Sequence, residues 1–308
     1  CGGTLTVTWF YKDNCEREIT ATKTVTVLPA PVAEFDSVEV IVIDCDEAAS
    51  YEAGYLAYSN GAGTDACLIA GEVEGEITGS YTECGGLLFA NWTFTDECER
   101  TITQTQQIKV NPAPAAEFAP VENEEITCDE AASYVAGYLS YSNNAETESC
   151  LIEGQVEGEL SGNYTECGGE LQVTWTFMDD CQREITATKI VTVLPAPKAE
   201  FVNVPQNITI TCDQAAVYQS ANLEYTNNAE TEACLITGEV EGEITGSYTE
   251  CGGEFVVTWT FMDDCQREIT ATKIVTISPA PVAEFAPVED EEITCDEAAT
   301  YSAGFLTY

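Results

Sequence analysis

Residues 167–193 read CGGELQVTWTFMDDCQREITATKIVTV, and the alternation in this stretch decides the fold. Leu171, Val173, Trp175 and Phe177 fall on one side of an extended chain, with Gln172, Thr174 and Thr176 on the other. That is the pattern of a strand with one buried face. After the turn at MDDCQ the chain alternates again, Ile185, Ala187, Val191 and Val193 against Thr186, Thr188 and Thr192, so the two segments are expected to form an antiparallel hairpin.

The same stretch begins at Cys1, Cys84, Cys167 and Cys251, a return of 83, 83 and 84 residues that is long enough to hold a small domain. Once per return comes a proline-flanked phrase: LPAPVAEF (28–35), NPAPAAEF (111–118), LPAPKAEF (194–201) and SPAPVAEF (278–285). Two prolines around an alanine do not suit a central strand and favour a short, semi-rigid extended connector. Complete repeats are therefore expected at 32–114, 115–197 and 198–281, with partial ones at 1–31 (the C-terminal part) and 282–308 (the N-terminal part). The native polypeptide is expected to continue in both directions.

Within a repeat, LIEGQVEGELSG places Val156, Leu160, Gly154 and Gly158 on one face and Gln155, Glu157 and Glu159 on the other, and reads as one more strand. AEFAPV, EEIT and LSYSN supply shorter strands, and DEAASY after Cys128 reads as one helical turn. Six or seven strands in about 83 residues, without a long helical pattern, predict an all-β chain of tandem immunoglobulin-like β-sandwich domains in an extended array. One tryptophan per repeat (Trp9, Trp92, Trp175, Trp259) is assigned to the core.

The chain has 54 acidic residues, 10 basic ones and no histidine, a formal charge of -44. Such a charge repels nucleic acid phosphates and anionic head groups, so neither nucleic acid binding nor direct membrane insertion is expected. The carboxylates are spread in solvent-facing alternation, and no acid, base or nucleophile stands apart from the rest. No catalytic residue and no enzyme activity are assigned.

Fifteen cysteines occupy four fixed places per repeat. They lie in TCD or DCD (Cys45, Cys128, Cys212, Cys295), CLI (Cys67, Cys150, Cys234), CGG (Cys1, Cys84, Cys167, Cys251) and the D-x-C turn (Cys15, Cys98, Cys181, Cys265). Without a CxxC pair or a histidine, zinc is disfavoured and structural disulfides are expected, which implies an oxidising, extracellular location. A strand of about eight residues at ~3.3 Å each separates Cys167 from Cys181 far beyond the ~4.4–6.8 Å that a bridge allows between α-carbons. Excluding that pair leaves two connectivities. Strand direction in an up-and-down sandwich selects Cys128–Cys167 with Cys150–Cys181, and likewise Cys45–Cys84 with Cys67–Cys98 and Cys212–Cys251 with Cys234–Cys265. Cys1, Cys15 and Cys295 would pair outside the chain.

Other groupings of side chains bear on binding. Glu72, Glu74 and Glu76, with their counterparts Gln155, Glu157, Glu159 and Glu239, Glu241, Glu243, read as a solvated strand face that discourages edge pairing. A bound Ca²⁺ is the sharper reading, with Glu117, Glu122, Glu124 and Glu125 as junction ligands; no metal site is assigned. Lys23, Lys189 and Lys273 are in phase with inward residues of the last strand, Gln106 replaces them in one repeat, and a snorkelling ammonium is preferred to an amide crosslink. Tyr134, Tyr138 and Tyr141 could offer sugars a stacking platform, but Asn222 stands where Tyr138 does in the third repeat, so Tyr141 is assigned to the core. Asn91, Asn163 and Asn207 begin sequons, and Asp36-Ser-Val is a further short modification triplet.

The segments TCDEAA, ETESCLI, YTECGGELQVTWTFMDDCQREITATKIVTV and PAP resemble the hyalin-repeat-like modules of giant Bacteroidetes cell-surface adhesins exported by type IX secretion, gliding-motility adhesins among them. Gln182-Arg183 stands where such modules carry glycine and asparagine after the turn cysteine. The resemblance covers every repeat and implies an immunoglobulin-like, disulfide-bonded stalk or filament on the cell surface. Its partners would be neighbouring repeats of the same chain, with surface glycans or other copies of the filament as further ones.

Overall fold

The computed structural model describes residues 1–308. The chain is all-β, and its sheets recur as tandem two-sheet sandwiches of immunoglobulin-like type. In residues 32–114 the strands Glu34–Phe35, Tyr55–Ser59 and Ala70–Glu74 form one sheet in that order. Ile41–Ile43, Thr101–Val110, Gly85–Thr95 and Glu76–Thr82 form the other, also in that order. Ile41–Ile43 runs parallel to Thr101–Val110, and the remaining pairs are antiparallel.

The same two orders return in the next repeats. In residues 115–197 they are Glu117–Phe118, Tyr138–Ser142, Glu153–Glu157 and Glu124–Ile126, Glu184–Val193, Gly168–Met178, Glu159–Thr165. In residues 198–281 they are Glu200–Phe201, Leu223–Thr226, Thr237–Val240 and Ile208–Ile210, Glu268–Ile277, Gly252–Met262, Glu243–Thr249. Gly3–Lys12 and Glu18–Val27 form a separate hairpin, and Cys295–Ala298 is a single helical turn.

The hairpin expected from the opening stretch is present, with Trp92 opposite Gln104 and Trp259 opposite Ala271. Its alternation becomes burial: Leu171, Val173 and Trp175 are buried, as are Val191 and Val193 on the returning strand. In the first complete repeat Leu88, Ala90, Trp92, Ile108 and Val110 meet Leu56 and Val73 from the facing sheet. In the third, Val257, Trp259 and Val275 meet Leu223, Phe201 and Val240. Removing these apolar faces from water is the main force that joins the sheets.

The expected helical turn after Cys128 spans Cys128–Ala131. Thr127 and Glu130 close a capping box over its first backbone donors. Cys45–Ala48 and Cys212–Ala215 have the same form.

One strand assignment is corrected. LIEGQVEGELSG is two strands in two different sheets, Glu153–Glu157 and Glu159–Thr165, and the chain crosses between sheets at Gly158. Gly75 and Gly242 mark the same crossing in the other repeats. The cause is the tryptophan. A Cβ on Gly158 would lie 2.7 Å from Trp175 Nε1, so the indole needs a residue without one. Glu157 and Glu159 therefore belong to different sheets, as do Glu74 and Glu76, and the carboxylates form no continuous row.

By its internal contacts the chain divides into two compact units. One comprises Cys1–Glu122, Ala136–Leu160 and Val173–Lys189; the other comprises Asn123–Val135, Ser161–Gln172 and Ile190–Tyr308. Cores, turns and bridges described below each lie within one unit.

Candidate functional site: the junctions between repeats

The D-x-C-x-R turn is built first from its own residues. Asp179 N–H donates to Arg183 O at 3.0 Å, and Gln182 N–H donates to Asp179 O at 3.0 Å, with Gln182 at φ 61. Glu99 and Gln266 take the same left-handed backbone in the equivalent turns. Asp179 Oδ1 accepts the Arg183 backbone N–H at 2.8 Å, and its Oδ2 accepts Arg183 Nε at 2.6 Å. The carboxylate thus fixes the direction of the guanidinium.

That guanidinium then reaches the proline-flanked connector. Arg183 Nη1 donates to Ala113 O at 2.6 Å, Arg100 Nη1 to Ala30 O at 2.7 Å, and Arg267 Nη1 to Ala196 O at 2.6 Å. Next to each contact Asn143 Nδ2 donates to Pro114 O, Asn60 Nδ2 to Pro31 O and Asn227 Nδ2 to Pro197 O, each at 3.2 Å. Ala113, Ala116, Ala196 and Ala199 are buried. The connectors are held by side chains of the repeat that follows them, which is more than a stiff spacer requires.

The disulfides follow from this geometry, and they correct the expected pairing. The bridges are Cys1–Cys98, Cys45–Cys150, Cys84–Cys181, Cys128–Cys234 and Cys167–Cys265, with sequence separations of 97, 105, 97, 106 and 98 residues. Every one joins a repeat to the next. Cys45–Cys84, Cys67–Cys98, Cys128–Cys167, Cys150–Cys181, Cys212–Cys251 and Cys234–Cys265 do not form, and Cys15, Cys67, Cys212, Cys251 and Cys295 are free.

The expected neighbourhoods were nevertheless close. Cys45 Sγ lies 3.5 Å from Thr82 O, beside the turn that carries Cys84. What displaces the pairing is the next repeat. Ala113 N–H donates to Glu83 O at 2.9 Å while Ala113 O accepts Arg183, and this chain of contacts brings Cys181 to Cys84. Glu166, Ala196 and Arg267 do the same for Cys167 and Cys265. The excluded bridge across one strand, Cys167 to Cys181, is absent.

The second bridge of each junction has its own clamp. Asp46 Oδ1 accepts Thr147 N–H at 3.0 Å and Thr147 Oγ1 at 2.8 Å; Asp129 Oδ1 accepts Thr231 N–H at 3.0 Å and Thr231 Oγ1 at 2.8 Å. Each aspartate follows the bridged cysteine of one repeat, and each threonine precedes the bridged cysteine of the next by three residues. These hydrogen bonds, the threonine hydroxyl's first, hold both carboxyls below the usual carboxylate range. Cys45 and Cys150 are buried in one apolar cluster with Ala48 and Leu88. Asp46→Ala is expected to loosen this cover and speed reduction of Cys45–Cys150 several-fold relative to Cys84–Cys181. Timed alkylation and mass mapping would read the two rates.

Acid should act on the arginine clamps. Burial alone would raise the carboxyls of Asp179 and Asp263, but bonds from the Arg183 and Arg267 backbone and guanidinium outweigh it and hold both below 3.8. For Asp96 the Arg100 side chain is the largest cause of the same downward shift. A depressed folded pKa means stability is fully present above about pH 3.8 and is lost as pH falls through the lower folded value. Neutralising the other carboxylates relieves self-repulsion in the opposite sense. The expected signature is therefore a difference: melts from pH 7 to pH 2 should show a shallower acid limb for Asp179→Asn than for the native chain.

The remaining sequence candidates do not converge. No group of three or more His, Cys, Asp or Glu has a metal-holding arrangement; Glu117 pairs opposite Ser142 and Glu124 accepts the Tyr134 hydroxyl at 2.6 Å. Tyr141 stacks on Phe177 with ring centres 3.8 Å apart, as assigned to the core, while Tyr138 is exposed and donates to Glu157. Lys273 Nζ lies 5.6 Å over the Tyr218 ring. Gln106, its counterpart, accepts the Tyr51 hydroxyl and donates to Glu39 O. Asn91 bonds Thr78 and Thr105 across its sheet, and Asn207 accepts Ile274 N–H. The indoles of Trp92, Trp175 and Trp259 donate to the backbone carbonyls of Gly54, Gly137 and Ala221, whereas Trp9, assigned to the core with them, is exposed on the separate terminal hairpin. No helix is long and apolar enough to cross a membrane.

No family model matches the chain, and no curated protein matches it. Among solved structures it is similar to three extracellular repeats (EC1-3) of mouse protocadherin-24, at 10% identity over 80% of this chain and 98% of that one, TM-score 0.33. It is also similar to EC3-6 of protocadherin gammaB7, at 8% identity over 89% of this chain and 84% of that one, TM-score 0.33. A Ca2+-stabilized adhesin with which an Antarctic bacterium binds ice shows 12% identity over 89% of this chain and 82% of that one, TM-score 0.21.

Proposed function

We propose that this chain is the structural repeat region of an extracellular adhesin, a disulfide-stabilised stalk or filament that projects an adhesive region from the cell surface. The observation that carries this reading is the covalent stitching of each repeat to the next. The two junctions with a complete repeat on each side carry two bridges apiece, an Asp–Thr clamp and an arginine held on the connector carbonyl. Bridges of this kind persist in an oxidising setting outside the cytoplasm. The repeats 32–114, 115–197 and 198–281 would be its modules, and the five free cysteines would bond in the same register to further repeats. The residue patterns shared with hyalin-repeat-like modules favour export by type IX secretion and a place among gliding adhesins.

A flow-chamber assay tests it. Cells displaying a terminal binding domain on this chain should resist detachment, and mild reductant should lower that resistance while isolated repeats leave attachment unchanged. Saturable competition by the isolated repeats would overturn the stalk reading in favour of repeated weak glycan binding acting through avidity.

A further inference from the structure

We propose that the bridges thread one covalent line of tension through successive repeats, along the Cys-to-Cys strand of each, and that the remainder of every repeat, its connector included, lies off that line. The inference rests on the bridge register and stands or falls apart from the adhesin reading.

From Cys1 the line passes by its bridge to Cys98. Fourteen residues back along Gly85–Thr95 is Cys84, bridged to Cys181. Fourteen residues back along Gly168–Met178 is Cys167, bridged to Cys265. Cys1 and Cys265 are thus joined through three bridges and 28 residues of chain, although 264 peptide bonds separate them along the backbone.

Each segment is already largely strand, 11 of its residues lying in Gly85–Thr95 or Gly168–Met178. A strand rises ~3.3 Å per residue and a fully drawn chain reaches at most ~3.6 Å, so pulling lengthens the strand portion by about a tenth. The two segments together reach no more than ~100 Å, against roughly 950 Å for the unbridged chain. The line enters each strand at its C-terminal end and leaves at its N-terminal end, opposite to the chain direction. The three-stranded sheet, the returning strand of the hairpin and the PAP segments hang beside it without tension.

Cys45–Cys150 and Cys128–Cys234 lie off the shortest route. Without Cys84–Cys181 two connections tie at 61 residues: from Cys98 to Cys128, across to Cys234 and on to Cys265, and from Cys1 to Cys45, across to Cys150, on to Cys167 and across to Cys265. The off-line bridges are therefore slack until a bridge on the line is cut.

Single-molecule stretching of the whole chain, held by peptide tags at both ends, tests this; residues after Cys265 add the same release to every sample. The oxidised chain should show no repeat-sized step from residues 1–265, whereas the fully reduced chain should show steps approaching ~300 Å for an 83-residue repeat. Oxidised Cys84→Ser with Cys181→Ser should extend about 120 Å further than the native chain, the length of 33 added residues. Cys128→Ser with Cys234→Ser should not change the limit. At high force the limit depends on covalent connection alone, so it is readable in a variant that has lost its fold, with non-reducing peptide maps confirming the remaining bridges. Repeat-sized steps in the oxidised chain, or equal lengthening by the two double variants, would overturn the inference.

Discussion

The double variant Cys45→Ser, Cys150→Ser is expected to be less stable than Cys84→Ser, Cys181→Ser, and Cys128→Ser, Cys234→Ser should match it, its cysteines being as deeply buried and its loop one residue longer. In the chain-entropy model, opening a loop of 105 residues costs about 4–5 kcal/mol. That is a large part of the ~5–15 kcal/mol available to a typical domain. The Cys84–Cys181 loop of 97 residues should count for nearly the same, so loop length does not separate the two bridges. Burial does. Cys45 and Cys150 are 3% and 0% exposed in the apolar cluster, whereas Cys84 and Cys181 are half-buried. A serine hydroxyl left there without a partner adds about 1–3 kcal/mol. Cys45→Ala with Cys150→Ala should recover that portion and leave the loop term. Chemical denaturation of the four double variants, with Ser and Ala at each bridge, checks both parts. Equal losses for Ser at the two bridges would show that burial carries no weight.

The contrast between these bridges bears on what was legible in the sequence. Alternation around Trp175 was sufficient for the hairpin and for its buried face, because a period of two admits only one inward set once the apolar residues are placed. The capping residues Thr127 and Glu130 sit at their required spacing, so the helical turn could be read as well. The cysteine partners could not. In a regular repeat, a cysteine faces equivalent candidates in its own repeat and in the next, and spacing is the same for both. The deciding information lay in residues of modest appearance: an arginine two places after the turn cysteine, and an aspartate directly after the cysteine of the helical turn. Their partners are a backbone carbonyl and a threonine in another repeat, contacts that leave no periodicity to detect.

The junction also explains why the connectors looked simpler than they are. Proline and alanine indicated an extended segment, and nothing in LPAPKAEF announced that Ala196 donates to Glu166 O and accepts from Arg267. Small side chains permit this close approach. Ala196 and Ala199 are almost wholly enclosed, so a larger residue at either place would press against the clamp.

The sheet crossing supplies the second large effect: Gly158→Ala is expected to destabilise its sandwich by about 3–5 kcal/mol. The added Cβ would stand 2.6 Å from Val173 Cγ1 and 2.7 Å from Trp175 Nε1, inside any tolerable contact. Moving the indole also breaks a shared acceptor. Gly137 O accepts both Gly158 N–H at 2.9 Å and Trp175 Nε1–H at 3.2 Å, so displacement leaves a buried donor unpaired. Gly54 O serves Gly75 and Trp92 in the same way, at 2.9 and 3.1 Å, and Gly75→Ala should behave alike. Overpacking and the lost hydrogen bond are separable. Trp175→Phe removes the indole nitrogen, so Gly158→Ala should cost less in that background than in the native one, and the double variant should lose less stability than the sum of the two single losses in a double-mutant cycle. Denaturation midpoints of the four proteins measure it, and strictly additive losses would show that glycine and tryptophan act independently. The same glycine decides the topology: it lets Glu153–Glu157 and Glu159–Thr165 enter different sheets around one indole, and so sets the edge against which the bridged strand Gly168–Met178 is paired.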